Sequence, residues 1–309
     1  MSPAWRIARV SLTTAEPAET SAFLREALGF EEAGTGERAG EGFARLTGIE
    51  GARARVTLLR LGRQEVELVA FARPGRPYPL GSAASDLWFQ HIAVVVSDMR
   101  AAHARLSARR GWTPISTAGP QRLPERSGGV TAFKFRGPEG HPLELLEFPP
   151  ARAPAAWKEP RRADPCLGID HSAIAVADTA ASAAFYARLG FAAAERSLNQ
   201  GIEQERLDGV PGAKVEVTAL RPEAADGPPH LELLRYLPPS EGRPAPPDPR
   251  SDDVAATRLV LQASDAAVFN EALGSYGASA LPGGPVPLRG GRRAALLHDP
   301  DGHGLSLLG

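Results

Sequence analysis

Four times along this chain a short apolar strand ends in a small or acidic residue and leads into a helix. Four times the segment then closes on another apolar strand. The openings are RVSLTTAE from Arg9, HIAVVVSD from His91, HSAIAVAD from His171 and RLVLQASD from Arg258. The closing runs are VELVAF, LELLEF, LELLRY and LSLLG. The slot that starts the first strand therefore reads Arg9, His91, His171, Arg258, and the second slot of the last strand reads Glu67, Glu144, Glu232, Ser306. Successive first slots lie roughly 80 positions apart, too long for a solenoid unit and suited to a module of about 60 residues plus a linker. Only the middle two modules keep both His and Glu.

Pro- and Gly-rich stretches follow Phe71, Glu147 and Tyr236. Proline fixes φ and removes a donor, so these read as linkers. Between them each module alternates as a strand, then forms a helix; in the third, Asp178 or Thr179 caps a helix over roughly 179–189, with Gly190 as its stop. Gly137–Gly140 and Asp299–Gly302 sit between alternating runs and predict hairpins. The order is β-α-β-β-β. The class is α+β, with four tandem modules pairing into two open, curved, mainly antiparallel, barrel-like sheets and helices outside. The expected domains are 1–150 (modules 5–72 and 88–149) and 166–309 (modules 167–238 and 254–309).

Composition excludes several classes. A formal charge of −1 leaves no basic footprint for nucleic acid. The single cysteine, Cys166, excludes a disulfide framework and a thiolate metal cluster. No cationic and apolar segment opens the chain and no apolar run approaches a membrane span. The expectation is a cytoplasmic monomer or homodimer acting on a small molecule, with no nucleic-acid or membrane partner.

The strand starts His-Ile-Ala-Val and His-Ser-Ala-Ile, the helix segment FYARLGF, and the closing hairpins DPDGHGLSLL and GPEGHPLELL resemble those of the vicinal oxygen chelate superfamily. That superfamily includes glyoxalase I, bleomycin and fosfomycin resistance proteins, and extradiol dioxygenases. The resemblance spans essentially the whole chain. It implies that a metal is held from the first and last strands of two paired modules, which gives His91, Glu144, His171 and Glu232 here. The residues themselves agree. Side chains alternate along a strand, so Glu144, Leu146 and Phe148 share a face, as do Glu232, Leu234 and Tyr236. A carboxylate among apolar neighbours is costly to bury bare, and a cation offsets that cost.

Sequential pairing of modules would place a permanent Arg cation in each set of ligand slots. Pairing the second module with the third collects His91, Glu144, His171 and Glu232, and leaves Arg9, Glu67, Arg258 and Ser306 to a pair without metal. This crossed pairing, which resembles that of glyoxalase I, is favoured; sequential pairing stays open. Two imidazoles and two carboxylates suit one divalent ion, Ni, Co, Mn, Fe or Zn. Lewis-acid chemistry on vicinal oxygens follows, with Glu144 or Glu232 as proton shuttle: a lyase or isomerase type of enzyme. The alternatives are an iron(II) extradiol-type dioxygenase and a non-catalytic, drug-resistance-like binding protein. The remaining histidines read as turn residues (His141, His303), helix surface (His103) or strand flanks (His230, His298). Gln121, Arg122, Gln200, Gln204 and Arg206 read as solvated strand faces before substrate contacts.

Overall fold

The computed structural model describes residues 5–158, 164–223, 227–276 and 283–309; the Lys-Glu-Pro-Arg-Arg part of the second linker falls mostly outside them. The first module runs β1 (Trp5–Thr13), α1 (Pro17–Leu28), β2 (Glu31–Arg38), α2 (Glu41–Thr47), β3 (Ala54–Leu61) and β4 (Gln64–Phe71). The second runs β5 (Gln90–Val96), α3 (Met99–Ser107), the two-residue strands β6 (Thr113–Pro114) and β7 (Gln121–Arg122), β8 (Thr131–Arg136) and β9 (Pro142–Glu147). The third runs β10 (Cys166–Ala175), α4 (Thr179–Ala187), β11 (Phe191–Gln200), α5 (Ile202–Asp208), β12 (Lys214–Pro222) and β13 (His230–Tyr236). The fourth runs β14 (Arg258–Ala263), α6 (Ala266–Tyr276), β15 (Val286–Pro287), β16 (Arg293–His298) and β17 (Gly304–Leu308). Modules one and three thus carry a second short helix that the simple β-α-β-β-β plan omits.

The strands form two open sheets of α+β type. One has the order β15-β16-β17-β14-β1-β4-β3-β2 and combines the first and fourth modules. The other has the order β11-β12-β13-β10-β5-β9-β8-β6, with β7 beside β8, and combines the second and third. Within each module the first and last strands are parallel, and the remaining ladders are antiparallel. The two modules of a sheet meet along first strands, β1 against β14 and β5 against β10, both antiparallel.

Alternation assigns the faces. On β9, Leu143 and Leu145 join the main core while Leu146 packs in a separate cluster on the opposite side. On β13, Leu231 and Leu233 join that core, and Leu234 and Tyr236 pack opposite. The main core is continuous across all four modules, with Leu28 of α1, Leu106 of α3, Tyr186 of α4 and Phe269 of α6 packed against the strands. Each fully buried side chain of this size contributes roughly 1.5–3 kcal/mol relative to exposure. The four long helices α1, α3, α4 and α6 therefore cover one side of the sheets and free the other for polar chemistry, where the short α5 packs Leu207 against Leu146.

Asp178 caps α4, accepting from the amides of Ala180 and Ala181, which satisfies donors the first turn leaves open. Gly29 ends α1 in the left-handed region at φ 76°, and Gly190 follows α4 at φ 71°. The two predicted hairpins, β8–β9 and β16–β17, form, and their loops tie one sheet to the other. His141 is buried rather than a surface turn residue, its Nε2 lying 2.9 Å from the carbonyl of Thr13 and 3.0 Å from that of Val254. His303 repeats the device 2.8 Å from the carbonyl of Ala175.

Glu139 of the first loop accepts from the amides of Ala15 and Glu16 and the hydroxyls of Thr14 and Thr20 at the start of α1. Partial burial pushes its pKa up, but these donors outweigh that and hold it below 4.5. A carboxylate depressed in the folded state contributes stability above its unfolded pKa and loses it as pH falls through the folded value. Glu139→Gln is therefore expected to cost about 1.5 kcal/mol near neutral pH, the scale of a hydrogen bond to a charged group. Urea melts across pH should show wild type and variant converging in acid; a difference that persists there would contradict the assignment.

Candidate metal centre on the nine-stranded sheet

The antiparallel register of β5 and β10 sets Ala173 opposite His91 and His171 opposite Ala93, so the two histidines lie diagonally across the central ladder. In β9, Glu144 is level with Ala93; in β13, Glu232 is level with Ala173. Each glutamate thus sits two residues along from its own module's histidine. His91 Nε2 lies 2.8 Å from Glu144 Oε2, and His171 Nε2 lies 3.7 Å from the same oxygen. His171 Nε2 is also 3.5 Å from Glu232 Oε2. The imidazole rings of His91 and His171 are 5.6 Å apart between centroids. All four slots face a cavity of about 160 Å³.

His91, Glu144 and His171 form the compact part, offering ligand atoms within 4.8 Å of one another. Glu232 reaches this trio through His171 and leans toward His230, whose Nε2 is 3.5 Å from Glu232 Oε1. Its side chain keeps 21% exposure where those of His91 and Glu144 are closed off. His230 is not merely a strand flank, as its place before β13 suggested. It is level with His171, buried, and has no hydrogen-bond partner for Nδ1 among the described residues. The parity of residues 230, 232, 234 and 236 carried that signal in the sequence.

Asp170 was not legible as a site residue. Simple alternation puts it opposite His171, but the ladder slips between Ile169 and His171, and the bulge brings both side chains to one side. Asp170 Oδ2 accepts from His171 Nδ1 at 3.0 Å, and its Oδ1 accepts from the Trp157 indole at 2.7 Å. This contact leaves His171 Nε2 facing the two glutamates. Outer partners of this kind cost roughly 10–100-fold in metal affinity when removed. Asp170→Asn is expected to fall in that range in a competitive chelator titration, with an unchanged fold by circular dichroism. An affinity equal to wild type would deny Asp170 the positioning role.

Lys134 and Asp208 were also unread. Lys134 stands opposite Glu144 in the β8–β9 ladder and donates to Asp208 Oδ1 at 2.7 Å; Gln204 donates to Asp208 Oδ2 at 2.7 Å. All three are buried. Gln204 therefore supports the site, whereas Gln121 is turned to the backbone of residues 118–120 and Arg122 is exposed.

Charge follows geometry. Burial pushes Glu144 up, yet His91, Lys134 and the hydrogen bond from His171 hold it well below 4.5. Burial likewise raises Glu232, and His171 with His230 brings it down. For His171 burial favours the neutral ring, but Glu232, Asp170 and Glu144 together lift it well above 6.5. His91 goes the other way, because its burial outweighs Glu144. Burial pushes Lys134 down, and Asp208 and Glu144 more than restore it. Four acids against Lys134 and the protonated His171 leave a surplus of negative charge at this face, the electrostatics a divalent cation needs. The donor set fits such an ion: imidazole nitrogen and carboxylate oxygen without sulfur, with ligand atoms of His91, Glu144 and His171 gathered within 4.8 Å of one another.

The first–fourth sheet presents the contrasting set. Glu67 is level with Ser11, and Ser306 with Val260, so the slots match those of the other sheet. Glu67 is buried and accepts from Arg9 Nε at 2.9 Å and from Arg38 Nη1 and Nη2 at 3.1 and 2.7 Å. Arg38 is a partner the repeat did not reveal. With its carboxylate already bound by two guanidiniums, this sheet offers no comparable donor set among the described residues.

The chain belongs to the Glyoxalase/Bleomycin resistance protein/Dioxygenase superfamily, whose family model matches residues 6–145 and 168–307. It is similar in fold to glyoxalase I from Zea mays, with a TM-score of 0.65 and 15% identity over 99% of this chain and 92% of that one. A putative dioxygenase from Bacillus subtilis aligns with a TM-score of 0.58 and 13% identity over 98% of this chain and 84% of that one. No curated protein matches the sequence. Among the described residues no helix is long and apolar enough to cross a membrane.

Proposed function

We propose that this chain is a divalent-metal-dependent, glyoxalase-like enzyme of the lyase or isomerase type, acting on a small molecule with two adjacent oxygens. The observation that carries the reading is the gathering of two imidazoles and two carboxylates around one cavity on four neighbouring strands. His91, Glu144, His171 and Glu232 would hold one ion, of Ni, Co, Mn, Fe or Zn. When bound, such an ion supplies Lewis acidity to the vicinal oxygens of the substrate.

The residues divide the remaining work. Glu232 is the more exposed carboxylate, so it is the group placed to take a proton from a substrate carbon and return it to the neighbouring one. Glu144 is held by His91 and by the nearby charge of Lys134, and serves as the fixed ligand. Asp170 holds the orientation of His171, which must shed its ring proton to ligate. Leu146, Phe148, Val217 and Leu234 line the cavity and exclude water around the reacting group.

The test is to strip the protein with a chelator, reload it with single metals, and follow isomerisation of a 2-oxoaldehyde hemithioacetal to a 2-hydroxy thioester. Turnover that needs the metal, consumes no oxygen and is lost in Glu232→Gln supports the reading. Full turnover after complete metal removal overturns it. A second reading draws on the compactness of His91, Glu144 and His171 alone, a two-histidine, one-carboxylate face typical of iron(II) oxygenases. Oxygen uptake with a catechol by iron-loaded protein, absent with nickel or cobalt, would favour it.

A further inference from the structure

A cavity of about 920 Å³ lies apart from the metal centre, where β14 and β17 begin and β16 ends, roofed by the linkers after β4 and β13. None of His91, Glu144, His171 and Glu232 lines it. We infer that this cavity is a second ligand site, built for a small organic anion with an apolar body, such as an aromatic or aliphatic carboxylate, sulfonate or phosphate ester.

Arg258 carries the argument. It is only 8% exposed, yet it lines the cavity. Among the described residues its guanidinium makes one hydrogen bond, from Nη2 to the carbonyl of Ser251 at 3.1 Å, and no ion pair. A guanidinium has five N–H donors, and a buried cation without a counter-charge is costly. Burial pushes its pKa down to about 10, Arg38 adding to the fall and the charges of Glu67 and Asp252 only partly offsetting it. The two other arginines at the cavity are already committed, Arg76 to Asp253 and Arg250 to Asp252. An anion would supply what Arg258 lacks.

The surroundings are shaped around that side chain. At the start of β17 the slot that holds His230 in β13 holds Gly304, and a Cβ there would come within 2.9 Å of Arg258 Cγ. Trp88 lines the same cavity, and its Nε1 is buried with no partner among the described residues, a second unused donor. Pro77, Pro79, Pro246 and the 96% exposed Leu80 also line it, while the lining carboxylate Asp253 is paired with Arg76. A buried cation beside such apolar lining selects a molecule with a charged head and a greasy tail. The inference stands apart from the metal reading, since it uses neither the metal ligands nor their sheet face.

The experiment compares two probes of like shape on the intact, metal-loaded protein: 8-anilinonaphthalene-1-sulfonate and its uncharged relative N-phenyl-1-naphthylamine. Wild type should bind the sulfonate saturably with one-to-one stoichiometry. Arg258→Met should weaken the sulfonate about tenfold or more, the scale of one hydrogen bond to a charged group, and leave the neutral probe within about twofold. Leu80 is at the surface, so its variants test the same idea without risk to folding: Leu80→Asp should weaken the sulfonate and Leu80→Lys should strengthen it. Equal sulfonate binding by wild type and Arg258→Met, or no saturable binding by wild type, overturns the inference. Should Arg258→Met fail to fold, indifference of the sulfonate to both Leu80 variants overturns it instead.

Discussion

Replacing His171 by alanine is expected to lower divalent-metal affinity by more than about 100-fold, beyond what loss of an outer partner costs. His171 is the residue that connects the set: its Nε2 faces both Glu144 and Glu232, and its Nδ1 is anchored on Asp170. Without it the two glutamates lose the imidazole that stands between them, leaving His91 and Lys134 beside Glu144 and His230 beside Glu232. His91→Ala should act similarly. Glu67→Gln, on the other sheet, should leave metal affinity unchanged, because its carboxylate is held by Arg9 and Arg38. Its effect should instead be on stability. Calorimetric titration of the three variants with cobalt checks the set; equal losses in His171→Ala and Glu67→Gln would contradict it.

Lys134→Met is expected to be the most destabilising single change near the site, by about 3–5 kcal/mol, because it strands a buried carboxylate. Asp208 is closed off from water, and Lys134 is its cationic partner at 2.7 Å. Only the neutral groups Gln204 and Tyr236 would remain beside it. For a chain of this length such a loss lowers the melting temperature by roughly 5–8 °C. Combining Lys134→Met with Asp208→Leu should recover much of that loss, since removing both charges leaves no unpaired ion. If the double variant is no more stable than Lys134→Met, the two residues are not coupled in the way the geometry implies.

The repeat made much of this structure legible because slot identity survives duplication. First-strand and last-strand positions are fixed by register, so His91, Glu144, His171 and Glu232 could be aligned without knowing any loop. Alternation put Leu146 and Leu234 on the faces of Glu144 and Glu232, and the Gly- and Pro-containing turns marked the hairpin loops. What escaped lies where local rules break. Asp170 turns inward only because β10 bulges beside it, and no composition signal marks that slip. Lys134 and Asp208, 74 positions apart in sequence, come from β8 and the end of α5 and are brought together by the pairing of two modules. His141 and His303 looked like turn residues because they follow glycines, but their loops are gripped by the opposite sheet. His230 shares the parity of Glu232, Leu234 and Tyr236, but its place at the very start of β13 makes it read as a strand flank.

Anomalous diffraction from crystals grown with cobalt tests the central claim most directly. The account predicts one peak per chain, between β5, β9, β10 and β13, at roughly 2.0–2.2 Å from nitrogen of His91 and His171 and from an oxygen of Glu144. Glu232 should ligate the same ion or stand beside it. A peak among Arg9, Glu67 and Arg258, or two equivalent peaks, one on each sheet, would contradict it.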